Sequence, residues 1–319
     1  MNLKHYTRRE FIKQGTFTAV SAGVTFGLIN TGFAAPKEAI IDIHQHTDYH
    51  GRSHEDLLSH QRAMGVTHTI LLPSGRPVIS PSTHDGISNG LQAKVTGNEV
   101  CYSIAQKYPG EYFFAANEVS DLPNATTEIE KYLKLGARLI GESKFGVECD
   151  SAEMQKIYQL AQTYDVPVLM HWQYDMYNYG FERFYKMLEK YPRVNFIGHA
   201  QTWWANIDKN HQDQKVLYPK GKITAGGLTD RLLSDYPNLY GDISAGSGLN
   251  SLLRDEDHAR EFLRRHKDKL LYGSDCADAV GTGDKCDGAK IIAAVRKLAP
   301  SKKIERKILF KNAKKLFKL

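Results

Sequence analysis

Ile40-Ile41-Asp42-Ile43-His44-Gln45-His46-Thr47-Asp48 is a β-branched run that closes on two histidines one residue apart. Alternate side chains of a strand share a face, so His44 and His46 send both imidazoles to the same side, as two nitrogen ligands of one metal require. The run is the first of a series. From Glu38 onward short apolar runs alternate with longer amphipathic segments, the pattern of a parallel sheet with crossover helices. Candidate strands are Ala39 to Ile43, Val66 to Leu72, Tyr112 to Asn117, Ala137 to Gly141, Val166 to Met170, Val194 to Gly198, Leu239 to Ile243 and Leu270 to Gly273. Helical periodicity fills the gaps, as in Glu55 to Met64, Thr127 to Leu135, Ala152 to Tyr164, Phe181 to Tyr191, Ala259 to His266 and Ala289 to Leu298. Eight strand-then-helix repeats, with no G-x-G-x-x-G after the first strand, predict an α/β fold of the closed (β/α)8 type more than an open doubly wound sheet.

In such a barrel the chemistry stands at the carboxyl ends of the strands. Strand one ends in His44 and His46, strand four in Glu142, strand five in His171, strand six in His199 and strand eight in Asp275. A lone histidine there is more often structural, and a lone aspartate caps helices. The convergence of all of them on one end of one barrel is what argues for a metal centre. Imidazole and carboxylate donors suit zinc, with manganese or iron as alternatives. Lys144 has the same parity as Glu142 and competes for its role. Around the mouth, Lys144, Trp172, Tyr174, Trp203 and Arg231 are candidate substrate contacts. Asp242 is a candidate to contact substrate or to orient a ligand, and the insertion Gln201 to Gly227, with Trp203, Trp204 and His211, is expected to build part of the mouth. Ser244 to Gly248 reads as a plain turn, or as backbone N–H groups facing an anion.

The amino terminus reads as an address. Thr7-Arg8-Arg9-Glu10-Phe11-Ile12-Lys13 precedes an uncharged stretch, Thr16 to Phe33, and the small residues Ala34 and Ala35 before Pro36. This resembles a twin-arginine signal peptide over 1–35, leaving a catalytic domain over 36–319 that the twin-arginine export machinery delivers to the periplasm or the exterior, with no stable membrane association after cleavage. Over all 319 residues, 41% hydrophobic and 24% charged is the composition of a globular protein, and the net charge of +6 shows no nucleic-acid footprint. The basic C-terminal stretch from Lys302 to Lys318 has the apolar spacing of an amphipathic helix packing on the barrel. Four cysteines, Cys101, Cys149, Cys276 and Cys286, allow three connectivities, of which the sequence selects none; at most one disulfide is expected, and self-association into a homo-oligomer stays open.

IIDIHQHTD, VPVLMHW, VNFIGHA, NLYGDIS and LLYGSDC, in that order, resemble the amidohydrolase superfamily and its amidohydrolase-related branch, from about Ile40 to Leu319. The resemblance implies a TIM barrel holding one or two divalent metals through His44, His46, His171 and Asp275, with His199 a further ligand or a catalytic acid/base. Many members carry a carboxylated lysine at the fourth strand. Ile140-Gly141-Glu142 instead resembles members, TatD-like nucleases included, in which glutamate bridges two metals. The implied reaction is hydrolysis of a lactone, amide or ester of a small metabolite, with Asp275 moving the proton and His199 stabilising the oxyanion. The rivals are a nonoxidative decarboxylase of the aminocarboxymuconate-semialdehyde type, a non-catalytic periplasmic metal- or ligand-binding protein, and a TatD-like nuclease.

Overall fold

A computed structural model describes residues 38–84 and 96–319, so the twin-arginine segment lies outside the described residues. The strands are β1 (Ile41–Gln45), β2 (His68–Leu71), β3 (Tyr112–Phe114), β4 (Ile140–Ser143), β5 (Val168–His171), β6 (Phe196–His199), β7 (Leu239–Asp242) and β8 (Leu270–Leu271). All neighbours pair in parallel, as β1-β2-β3 and β4-β5-β6-β7-β8. Two seams join these sheets into a ring. Ala116 N donates to Leu139 O and Gly141 N to Ala116 O, each at 2.9 Å, while Ile43 N donates to Tyr272 O at 3.1 Å. The fold is the (β/α)8 barrel, closed as the repeat pattern predicts.

Inside the ring sit Ile41, Ile43, Ile70, Leu72, Ala115, Leu139, Leu169, Ile197 and Leu271, a packed apolar layer rather than a pore. The C-terminal stretch is helical, through α11 (Lys302–Arg306), a π-helical turn (Lys307–Lys311) and α12 (Asn312–Phe317). Ala313 and Phe317 join the interior layer, so this amphipathic segment plugs the barrel. The outer core lies between the strands and helices that include α1 (His54–Met64), α2 (Asn98–Lys107), α3 (Ala125–Lys134) and α4 (Ala152–Tyr164). Further round the ring come α5 (Tyr185–Lys190), α6 (Gln201–Ala205), α7 (Leu228–Asp235), α8 (Ala245–Leu253), α9 (Glu256–Arg265) and α10 (Asp287–Leu298).

Three local expectations change. Phe181 to Tyr191 is a 3-10 turn (Phe181–Arg183) followed by α5, not one helix. Ser244 to Gly248 is the start of α8 rather than a turn. Strands β1 and β4 run two residues beyond their expected ends, taking His44 and Glu142 into the ladder. No disulfide forms among the described residues; all four cysteines are free and buried.

Candidate metal centre

Strand parity delivers part of the site. On β5 and β6, counting in twos from Leu169 and Ile197 places His171 and His199 on the interior face, while Asp275, past the end of β8 and at φ +43, is tied to β1 by its N–H donating to His44 O at 2.8 Å. Strands β1 and β4 each need an irregularity. A register shift between Asp42 and Gln45 turns His44 inward although Ile43 already points inward. A second shift lies between Ile140 and Ser143, around Glu142. Just before it Gly141 has φ +134, and a Cβ there would stand 2.7 Å from Leu169 O, so only glycine fits.

The ligand-type atoms converge. His44 Nε2 lies 3.2 Å from His46 Nε2, and the two stand 3.7 and 3.4 Å from Glu142 Oε2. Asp275 Oδ1 is 3.7 and 3.6 Å from the same nitrogens. Four donors held about 2.0–2.1 Å from a common centre at tetrahedral angles are roughly 3.3 Å apart, so these spacings fit a cation. The other Glu142 oxygen, Oε1, faces His171 Nδ1 at 2.6 Å and His199 Nε2 at 3.7 Å. One carboxylate therefore joins two donor groups, His44/His46/Asp275 and Glu142/His171/His199. Asp275 also touches the second group, with Oδ2 3.6 Å from His199 Nε2.

The hydrogen bonds behind the imidazoles determine where their lone pairs point. His44 Nδ1 donates to Asp242 Oδ2 at 2.7 Å and His46 Nδ1 to Leu72 O at 2.9 Å. Ser244 Oγ donates to Asp242 Oδ2 at 2.8 Å and so must accept from His199 Nδ1 at 2.8 Å. His171 Nε2 faces Gln173 Oε1 at 3.3 Å. His44, His46 and His199 thus each have a backing acceptor for the outer N–H, which leaves the inner nitrogen to ligate once it is deprotonated, whereas His171 Nδ1 stands at hydrogen-bond distance, 2.6 Å, from Glu142 Oε1. Glu142 Oε2 and Asp275 Oδ1 are buried without a hydrogen-bond partner. Lone pairs and bare carboxylate oxygens packed together demand positive charge between them, and a divalent cation meets that demand. The residues present fit the group.

The electrostatics point the same way. Burial opposes charge on His44, yet Asp275, Glu142 and Asp242 outweigh it and hold the imidazole well above its ordinary value. Burial likewise pushes Glu142 up, but Lys144, His171 and His44 hold it well below the carboxylate range. Asp275 is also held low, as His44, His199 and His46 overcome its burial. Burial first, then Lys144, brings His171 down to about 4, leaving it neutral against an ionised Glu142.

Of the remaining candidates, Lys144 sets its ammonium 5.6 Å above the Tyr177 ring and acts on the site through charge. Asp242 is fully buried and orients His44, so it is not a substrate contact. Trp203 does not line the mouth. It is fully buried against Phe181 and Trp204, its ring filling the space a Cβ on Gly198 would take. Trp204 donates to Asp242 O at 3.0 Å. Arg231 binds Gly226 O at the surface. A cavity of about 330 Å³ adjoins the centre, lined by Trp172, Gln173, Tyr174, Asn178, Asn206 and Gln214 among others, so part of the 201–227 insertion does reach it. None of the six ligand-type side chains lines that cavity; Gln173, beside His171, is the link.

Sequence reasoning missed the residues that brace the centre. Arg52 is buried and donates to Gln45 Oε1 and the carbonyls of Cys276 and Asp278, tying β1 to the loop after β8. Asn178 donates to the carbonyls of Ser143 and His171, and Asn117 to that of Glu142. Tyr49 packs on His46 and reaches Asp275. These are common polar residues on loops, and no local pattern marks them.

Comparison with known proteins agrees with the fold. No curated protein matches the sequence. Among solved structures, an uncharacterized TIM-barrel protein from Bordetella bronchiseptica is similar at TM-score 0.60 and 15% identity, over 88% of this chain and 98% of that one. A 2,6-dihydroxybenzoate decarboxylase from Rhizobium is similar at TM-score 0.55 and 14% identity, over 88% and 99% of the two chains. So is a probable 2-pyrone-4,6-dicarboxylic acid hydrolase from Acinetobacter baumannii, at TM-score 0.55, 14% identity and the same shares, 88% and 99%. At these identities the likeness concerns the fold. The sequence itself matches the family model described as amidohydrolase across residues 41–319, nearly everything the barrel comprises, and the chain belongs to that family.

Proposed function

We propose that the protein is a metal-dependent hydrolase that adds water to the carbonyl of a lactone, amide or ester in a small metabolite. The observation that carries this reading is the Glu142 carboxylate, whose two oxygens face separate donor groups. His44, His46 and Asp275 would hold one divalent ion, zinc by donor type, and His171 and His199 a second, with Glu142 between them. When bound, such ions supply hydroxide near neutral pH and polarise the attacked carbonyl. Asp275, held ionised and with an oxygen free of hydrogen bonds, takes the proton from the attacking water and returns it to the leaving group. His199, with Nδ1–H fixed by Ser244, keeps its inner nitrogen on the reacting side. The adjoining cavity, with Trp172 and Tyr174 on its walls, takes the rest of the substrate.

A nonoxidative decarboxylase is the second reading, since a structural neighbour carries that activity in its name. Metal content separates the two. The hydrolase reading expects about two ions per chain and the loss of one in Glu142→Gln. A single ion, unchanged in Glu142→Gln, with carbon dioxide released from aromatic acids, would overturn it. The Thr7 to Lys13 motif supports export by the twin-arginine route, which carries folded proteins and so lets the metal be acquired before export.

A further inference from the structure

On the outer side of the barrel, α1 presents His60 and Met64 one turn apart, both buried. Opposite them stand Cys276, just after β8, and Cys286, the cap of α10. Cys286 Sγ lies 3.7 Å from Cys276 Sγ, 3.4 Å from His60 Nε2 and 3.5 Å from Met64 Sδ. His60 Nδ1 is buried with no partner at all, so the ring's polar contacts are confined to this sulfur cluster. The loop between the cysteines lies directly on α1, with a Cβ on Gly281 falling 2.3 Å from His60 O.

The three spacings around Cys286 match those of a coordination shell, and the ligand atoms of His60, Cys276 and Cys286 all lie within 4.8 Å of one another. Sulfurs about 2.3 Å and a nitrogen about 2.0–2.1 Å from a common centre lie, at tetrahedral angles, roughly 3.8 Å (S···S) and 3.6 Å (S···N) apart. The donors differ in kind from those of the carboxylate–imidazole centre. Two thiols, a thioether and one imidazole are soft ligands, and a thioether in the set favours monovalent copper over zinc. We propose that His60, Met64, Cys276 and Cys286 form a second, soft metal site that takes one monovalent copper ion, each thiol giving its proton to solvent as it binds. The ion would clamp the loop after β8 to α1 and thereby fasten the turn that follows Asp275.

The test uses the reduced full chain, its carboxylate–imidazole centre preloaded with zinc, titrated anaerobically with monovalent copper against bicinchoninate. Capture of one copper per chain with a thiolate-to-copper charge-transfer band is expected, as is its loss in Cys276→Ser and Cys286→Ser. Met64→Leu, which preserves volume, should weaken copper capture while leaving the melting temperature of the copper-free protein unchanged. Equal capture by the Cys276→Ser/Cys286→Ser double variant, or no capture by the parent, overturns the proposal. So does zinc in place of copper at these four residues, or a Cys276–Cys286 cross-link found by mass spectrometry in protein taken from cells.

Discussion

Asp242→Asn is the sharpest probe of the hydrogen-bonded backing behind the metal centre. Asp242 Oδ2 accepts from His44 Nδ1 at 2.7 Å and from Ser244 Oγ at 2.8 Å, and Ser244 in turn accepts from His199 Nδ1. One carboxylate therefore sets the tautomer of an imidazole in each donor group. The amide is nearly isosteric but must put its NH2 somewhere. Opposite His44 it meets an N–H; in the place of Oδ1, which is buried and unpartnered beside Gly273, it finds no acceptor. Loss of such a backing partner weakens metal affinity roughly 10- to 100-fold, or about 1.4 to 2.8 kcal/mol. Competition with a chromophoric chelator should show both ions weakened in Asp242→Asn. Ser244→Ala, which removes the acceptor of His199 Nδ1 outright but leaves Asp242 on His44 Nδ1, should on the two-ion proposal weaken the second ion more than the first. Wild-type affinity in Asp242→Asn, with an unchanged melting temperature, would refute the tautomer argument; equal loss of both ions in Ser244→Ala would refute the division of labour.

Three further outcomes are expected. Asp275→Asn should retain metal by elemental analysis while turnover falls about 10²- to 10⁴-fold, the range of a lost proton-transfer group; normal turnover would exclude its proton role. Asp230, outside the centre, accepts from His266 Nε2 at 2.7 Å and from Arg265 at 3.0 Å. Burial pushes its pKa up, but the bonds to His266, Gly226 and Arg265 outweigh this and bring it from 3.8 to about 2. That stabilisation is complete above the ordinary value and lost as the pH falls toward 2, worth about 1–2 kcal/mol after solvent screening. Denaturant titrations of Asp230→Asn should lack this acid-side loss, and identical slopes in the two proteins would contradict it. Replacing Arg8 and Arg9 by lysine should stop export, as fractionation of cells would show; undiminished export would point to another route.

The barrel, its strand count and its candidate ligands were legible in the sequence because they rest on short-range regularities. Parallel strands buried on both faces read as apolar runs, and the residues that follow each run fall on one end of the ring. Period-two counting orients His171 and His199 correctly, and it relates His44 to His46, whereas Asp275 lies past β8 at φ +43, where the alternation no longer holds. It does not relate His44 to Ile43 or Glu142 to Leu139, because the ladder slips by a residue at both places, and a slip is decided by the neighbouring strand. Trp203 shows the same boundary. Its composition suits a binding mouth, yet Gly198, across a tight turn, leaves a hollow that the indole fills. The proton positions on His44, His46 and His199 depend on Asp242, Leu72 and Ser244, which lie on other elements. The pairing of His60 and Met64 with Cys276 and Cys286 spans more than two hundred residues. Local pattern therefore sufficed for the frame and for naming the candidate ligands, while register, lone-pair direction and long-range donor clusters came only from the closed barrel, since each depends on contacts between segments remote in the chain.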